Sequence, residues 1–412
     1  MDFFNCITLS EAQLLVKSKL SDLTVGSSQV ALPEALGRIA AENIVCGEDL
    51  PPFSRSTVDG FAVRSTDTFG AGEGVPALFE IVGEIFMGQE AEIRLNPGQA
   101  AAIPTGGMLP AGADAVVMLE HTERPDEHTM LTLRAVAPGE NIVARGEDMK
   151  CGNVILSQGR KISSQDIGAL AACGCVAVPV RLQPVVGIIS SGDEVVDAAC
   201  TPVAGQIRDI NSYALAAMLA EMGCTVKRYG IVKDRYQDLL ATLSQGVTDC
   251  QMILVSGGSS VGVRDHTVKA IEELGQTHAL FHGIAVKPGK PTIFGIIDTV
   301  PVFGLPGHPV AAMTVCYQLV KPAVKILLGQ EATDAITLPA RMSRSIASAP
   351  GRDDFIRVRL IKQDDGYLAE PVLGKSGLIS TMTQADGIVH ISADKGGLYN
   401  GDLVQVELIR LD

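Results

Sequence analysis

The chain has 412 residues, 46% hydrophobic and 19% charged, with a formal net charge of −14 and a pI near 5.0. That length and apolar content predict several domains, and aromatics at 4% with no tryptophan make their cores aliphatic. The acidity argues against nucleic acid or an anionic membrane surface as partner, since both repel the chain at long range; small anions feel only the field of their own pocket.

No basic region followed by an apolar run opens the sequence, so no signal peptide is expected, and no uninterrupted apolar segment reads as long enough to span a bilayer. The nine cysteines include the close pair Cys173 and Cys175, but no Cys-x-x-Cys and no cysteine/histidine cluster at zinc spacing. An odd count without an export signal predicts reduced thiols in a cytoplasmic protein.

In chain order, the first element is a helix with Ser10 as N-cap, Gln13 completing a capping box, and Leu9 and Leu14 as a hydrophobic staple. From about Ala41 short segments and turns take over, and residues 51–61 form a loop entering a β-rich stretch. The expected organisation is a split N-terminal α+β domain (1–49 and 139–183) around an inserted β-rich domain (50–138).

From Pro184 strands and helices alternate. Residues 184–190 read as a buried strand ending in Ser191-Gly192-Asp193-Glu194, and 211–221 as a helix capped by Asn211 or Ser212 and stopped by Gly223. Strand 226–232, helix 236–244 and strand 252–255 follow. The last runs into Ser256-Gly257-Gly258-Ser259-Ser260-Val261-Gly262, and a helix over 267–274 comes next. Val302 and Phe303 close a strand before the rigid turn Gly304-Leu305-Pro306-Gly307-His308-Pro309 and a long helix over 310–328. The pattern predicts a three-layer αβ domain (184–329) on a parallel sheet, with ligands beyond the carboxyl ends of its strands. After Gly329, alternation of Ile356, Val358 and Leu360, and of Val404, Val406 and Leu408, predicts an antiparallel β domain (330–412). The fold class is thus α/β multidomain.

The densest chemistry lies in Ala285-Val286-Lys287-Pro288-Gly289-Lys290-Pro291, where two ammonium groups stand close together on a backbone stiffened by prolines. With the glycine-serine loop as a source of backbone N–H donors and acids on strand ends for a hard cation, the set suits a phosphate or another oxyanion.

Five segments in order resemble signatures of the molybdopterin molybdenumtransferases, the family that includes bacterial MoeA and the gephyrin E domain. They are Arg55 to Val63, Arg145-Gly146-Glu147-Asp148, Ser190 to Glu194, Ser256 to Asp265, and Lys287 to Pro309, so the resemblance covers essentially the whole chain. It implies four domains per subunit and an elongated homodimer, with the N-terminal half of one chain against the αβ domain of the other. It also implies Mg²⁺, with adenylylated molybdopterin and molybdate as substrates and AMP as a product, and suggests the adenylyltransferase that supplies the pterin as a possible partner. By resemblance Asp59, Asp148, Glu194, Asp234 and Asp265 are catalytic acids, with Asp234, Asp265 and Glu194 nearest the metal. The substrate would lie on Ser191, Gly192, Asp193, Ser256, Gly257, Gly258, Ser259, Ser260, Pro306 and Pro309. Lys287 and Lys290 with Arg352 and Ser376 would take molybdate; the alternative for Arg352 is a turn arginine paired with Asp353.

Two departures from the family pattern bear on the site: Ala311 stands where many members carry serine, and Val263 where many carry aspartate. His308 reads as a turn residue making a local hydrogen bond. Two other readings remain: a related molybdopterin adenylyltransferase or nucleotide hydrolase on the same αβ domain, and a non-catalytic dimeric scaffold. Molybdate and tungstate, nearly isosteric, are not distinguished.

Overall fold

A computed structural model describes residues 6–257, 261–275, 280–330 and 335–410, with the side chains of 261–265 outside the description. At its centre is a six-stranded sheet in the order Thr225–Val232, Val185–Ser191, Met252–Gly257, Val300–Leu305, Ile293–Ile297, Phe281–His282. Along Met252 to Val255 successive side chains enter opposite cores: Met252 and Leu254 on one face, Ile253 and Val255 on the other. A strand buried on both faces must read as a continuous apolar run, as this one does.

The first four strands run parallel, but Ile293–Ile297 pairs antiparallel with both Val300–Leu305 and Phe281–His282, so the sheet is mixed where a parallel one was expected. The cause is local: only Asp298 and Thr299 separate Ile297 from Val300, and so short a link closes a hairpin. Asp298 takes the left-handed conformation this turn needs, at φ 54°.

The first helix, Leu9–Leu20, is capped by Thr8, whose hydroxyl receives Glu11 N–H while the Glu11 carboxylate receives Thr8 N–H. Ser10 and Gln13 are therefore not the capping pair, and Leu14 is exposed, so it forms no staple. Leu9, Ala12, Val16 and Leu20 enter the αβ core beside Leu319 and Val324, not the N-terminal unit to which 1–49 was assigned. That helix packs with Asn211–Glu221 and the helical stretch Pro309–Leu327 on one face of the sheet; Tyr236–Asp249 and Val261–Gly275 cover the other. Pro309–Leu327 is long and apolar enough, at mean hydropathy 1.3 over an 18-residue window, to pass as a membrane span by length and composition, although Gln318, Lys321 and Lys325 interrupt it. Its apolarity matches its burial in this core.

Before the αβ unit, Ser27–Ala31 pairs with Ala177–Arg181, Ile44–Val45 with Val154–Leu156, and Arg55–Ser56 with Ile142–Val143, so chain segments before and after the inserted region zip together. Between them lies a six-stranded sheet, from Gly60–Val63 to Thr129–Thr132, with apolar clusters around Phe61 and Phe79 and around Ala62 and Ile103.

At the C-terminal end, Asp353–Gln363, Gly366–Pro371, Thr337–Met342, Leu403–Leu408 and Gly387–Ile391 pair in a closed ring around Met342, Val358, Val389 and Val406. Thr337–Met342 and Gly366–Pro371 are parallel, which departs from the antiparallel expectation. Period-two alternation fixes which face a residue takes, not which way the strand runs.

Phe294 is fully buried between Phe281 and Phe303, at 5.6 and 4.8 Å between ring centroids. Phe294→Ala is expected to cost the αβ unit about 3–5 kcal/mol. Amide exchange in Val185–Ser191 and Met252–Gly257 should accelerate accordingly, and unchanged exchange there would contradict this packing.

Candidate active site

The parallel strands all end on one side of the sheet, and their last residues are tied to one another by side chains. Ser190 Oγ donates to Asp209 Oδ2 at 2.7 Å, and Asp209 Oδ1 accepts Ser212 N–H at 3.0 Å, so Asp209 rather than Asn211 or Ser212 serves the first turn of Asn211–Glu221. That frees the Asn211 amide, which donates to Ser256 Oγ at 2.8 Å and to the Gly307 carbonyl at 2.9 Å. One buried amide thus spans the end of Met252–Gly257 and the turn after Val300–Leu305.

Ser191 Oγ donates to Asp234 Oδ1 at 2.9 Å, and Asp234 N–H points to Asp193 Oδ1 at 3.3 Å. Asp193, Glu194 and Asp234 form an acidic rim; none has a Lys or Arg partner among the described residues. Gly257 sits against this rim at φ 133°, where a Cβ would meet Ser191 O at 2.0 Å. Only glycine allows these two strand ends to lie so close. Gly258, Ser259 and Ser260 lie outside the described residues. Asp265, expected on a strand-end loop, belongs to the helix Val261–Gly275, since the helix starts earlier than the sequence reading placed it. A single glycine at 262 costs a helix only about 1 kcal/mol.

The lysine segment is a short strand, Val286–Lys287, that leaves the αβ unit and joins the C-terminal sheet parallel to Asp353–Gln363. Beside it opens a cleft of about 680 Å³ lined by Lys287, Lys290, Pro306, His308, Arg352 and Ser376, among others. Under the cleft lies Asp354, fully buried: its Oδ2 is 3.4 Å from Lys287 Nζ, and its Oδ1 accepts Arg352 Nε–H at 3.0 Å. Arg352 therefore pairs with Asp354, not Asp353, whose carboxylate meets His390 Nε2 at 2.7 Å. Neighbouring residues on extended chain point to opposite faces, whereas residues two apart share one, so adjacency in sequence was the wrong guide. Two cations share this one buried carboxylate and Lys290 lines the same cleft, so its wall carries an excess of positive charge, which suits an oxyanion.

His308 Nδ1 lies 2.7 Å from Ser376 Oγ, and Val310 N–H donates to Ser376 O at 3.1 Å. The His308 contact is thus made across the cleft to the C-terminal unit, not within its own turn. Ala311 lines the same cleft and offers it no hydroxyl. Asp354, Asp209 and Asn211 were missed as site residues; the period-two phase from Arg352 was the available signal for Asp354.

Asp59 and Asp148 stand apart. Asp59 accepts Thr105 N–H at 2.8 Å within the inserted sheet, and Asp148 N–H donates to Leu50 O at 3.0 Å. Among the described residues no hydrogen bond or ion pair joins either to Asp193, Glu194 or Asp234.

Three family profiles match in succession: the MoeA N-terminal region (domain I and II) over residues 7–174, the probable molybdopterin binding domain over 187–326, and the MoeA C-terminal region (domain IV) over 339–409. The chain belongs to the MoeA family. A molybdopterin molybdenumtransferase of Bacillus subtilis is 34% identical, with 92% of this chain and 89% of that protein aligned. The Haemophilus influenzae molybdopterin molybdenumtransferase is 31% identical over 97% and 98%. A molybdopterin biosynthesis MoeA protein from Pyrococcus horikoshii superposes with a TM-score of 0.84 at 36% identity, covering 98% of this chain and all of that one.

Asn211→Ala removes both donors of the strap between Ser256 and Gly307. The expected cost is about 1–3 kcal/mol, read as a lower urea midpoint for the αβ unit with an unchanged slope. An unshifted midpoint would contradict the strap.

Proposed function

We propose that this protein is a molybdopterin molybdenumtransferase that joins molybdate to adenylylated molybdopterin and releases AMP. The transferase assignment, and with it a role in molybdenum cofactor biosynthesis, follows from family membership and from relatives that carry that name across most of their length. The observation that carries the finer reading is the pairing of an acidic rim with a cationic cleft, on two sides of the Gly304 to Pro309 turn.

At the rim, Ser191, Gly192 and the strand ends would seat the phosphates of the adenylylated pterin, with Gly257 to Ser260 supplying donors. Asp234 and Asp193 are hard oxygen donors left unneutralised by Lys or Arg, and no group of three His, Cys, Asp or Glu side chains converges among the described residues. That set fits Mg²⁺, which takes one or two carboxylates and fills its remaining positions with phosphate and water. Asp234, with Glu194 and Asp265 by family resemblance, would hold it. When bound, Mg²⁺ offsets negative charge on the phosphoanhydride as AMP departs.

At the cleft, Lys287, Lys290 and Arg352 would receive molybdate, with Ser376 held ready by His308. Asp354 positions two of those cations before the anion arrives, so less side-chain freedom is lost on binding. The same geometry accepts tungstate. Asp59 and Asp148 would act from the neighbouring subunit of a homodimer, which accounts for their separation from the rim within one chain. The adenylyltransferase that makes the pterin substrate would deliver it, and the setting would be the cytoplasm. In domain terms, the split N-terminal and inserted units would serve the partner's site, and the αβ and C-terminal units their own.

Asp234→Asn keeps the Ser191 hydrogen bond but removes the charge. It should leave secondary structure and thermal midpoint near wild type while abolishing Mg²⁺-dependent AMP release. A variant with wild-type release and Mg²⁺ dependence would remove Asp234 from the metal site.

Mixing inactive Asp59→Ala with inactive Asp234→Ala under subunit exchange tests the shared site. Heterodimers should carry one doubly defective site and one intact site, restoring up to about half the activity of a wild-type dimer by the symmetry of an isologous interface. Confirmed heterodimers that stay inactive would refute sharing.

A further inference from the structure

A second cleft, of about 700 Å³, lies where Arg38, the Ser157 to Lys161 loop and Arg181 face Glu221 to Gly223 and Lys321 to Gln330. This is the opposite end of the αβ unit from the strand-end rim: it meets the C-terminal end of Asn211–Glu221 and the last turns of Pro309–Leu327, whereas the rim meets the beginnings of those helices. Six of its 18 lining residues are Lys or Arg (Arg38, Arg160, Lys161, Arg181, Lys321 and Lys325) and one is acidic, against 33 Lys and Arg among 412 residues in an acidic chain.

Four of these six charges are not neutralised by a carboxylate among the described residues. Arg160 pairs with Asp166 at 2.8 Å, but Arg38, Lys161, Arg181 and Lys321 have no carboxylate partner among the described residues. Arg38 donates to Arg181 O at 2.9 Å, and Arg181 donates through Nη1 to Val25 O at 3.3 Å. Its Nε is buried without an acceptor among the described residues. The two guanidinium groups are thus held in place by main-chain carbonyls, which orient without neutralising, and a buried donor left unsatisfied is costly. Burial and the neighbouring ammonium of Lys321 push the Lys325 pKa down. The walls are fixed relative to each other: at Gly159, φ 79°, a Cβ would lie 2.5 Å from Gly329 O, so the loop and the helix end touch through backbone alone.

We infer that this cleft binds a multiply charged phosphate compound of nucleotide size, at a site separate from the one that handles the pterin. Its volume falls in the range of small-molecule sites, planar guanidinium groups match phosphate oxygens in pairs, and Ile39, Met222 and Val324 offer an apolar wall for a base or similar ring.

The test is equilibrium dialysis of the full-length protein with labelled ADP in Mg²⁺-free, low-salt buffer, with Lys287→Gln and Lys161→Gln/Lys321→Gln variants. Wild type and Lys287→Gln should both retain a saturable site. Lys161→Gln/Lys321→Gln should weaken that site about tenfold or more, with AMP release from adenylylated pterin unchanged. Pyrophosphate that competes as well as ADP assigns the site to free polyphosphates; weaker competition assigns it to nucleotides. Either result supports the inference. No saturable binding of ADP or pyrophosphate up to about 5 mM, or binding indifferent to Lys161 and Lys321 while lost with Lys287→Gln, would overturn it. Failure of the molybdenumtransferase reading would appear separately, as absence of AMP release in wild type.

Discussion

Asp354 holds the two halves of the proposed catalytic region together. Its carboxylate is fully buried and reaches Lys287 from the αβ side and Arg352 from the C-terminal side. A buried carboxylate is costly unless paired and hydrogen-bonded, so both cations are drawn to fixed places at the mouth of the cleft. The parallel pairing of Val286–Lys287 with Asp353–Asp354, the Asp353 N–H to Ala285 O bond of 2.9 Å and the His308–Ser376 contact all reinforce the same seam. An oxoanion pocket assembled from two folding units needs such a seam, because cations brought together without a counter-charge would push the units apart.

The acidic rim obeys the opposite logic. Among the described residues Asp193, Glu194 and Asp234 have no Lys or Arg partner; Ser191 fixes Asp234, the Asp234 N–H points to Asp193, and Ser190 fixes Asp209. Asn211 then fixes the rim against the turn that leads into the cleft. Negative rim and positive cleft share one rigid turn, Gly304 to Pro309, so a substrate with phosphates at one end and an oxoanion acceptor at the other would meet both at a set spacing. Preorganisation of this kind lowers the ordering cost at binding.

Much of this was legible in the sequence, for identifiable reasons. Runs such as Met252 to Val255 announce a doubly covered strand, and helices at residues 211–221 and 236–244 follow from the interval and periodicity between strands, the second running on to Asp249. The lysine-proline segment and the ordered motifs pointed to the family directly. What escaped was whatever depends on direction or on long-range partners. The Asp298-Thr299 hairpin lacks the usual Asn-Gly or Asp-Gly signature, so the reversed strand Ile293–Ile297 was missed. The first helix carries an apolar stripe, but a stripe does not say which sheet it will cover, and this one went to the αβ core. Asp353, the partner weighed as the alternative for Arg352, was the wrong aspartate because adjacency in sequence was put above the alternation of an extended chain. Asn211 was read as a cap because that is its commonest use at a helix start, whereas the cap is supplied by Asp209 and the amide acts elsewhere.

The central claim is that the seam held by Asp354 is an oxoanion site. Anomalous diffraction at the molybdenum edge, from crystals of the full-length protein soaked in molybdate, tests it most directly. The account predicts a single strong peak between Lys287, Arg352 and Ser376, lost in crystals of Asp354→Ala. A peak elsewhere with none at the seam, or an unaltered peak in Asp354→Ala, would contradict it.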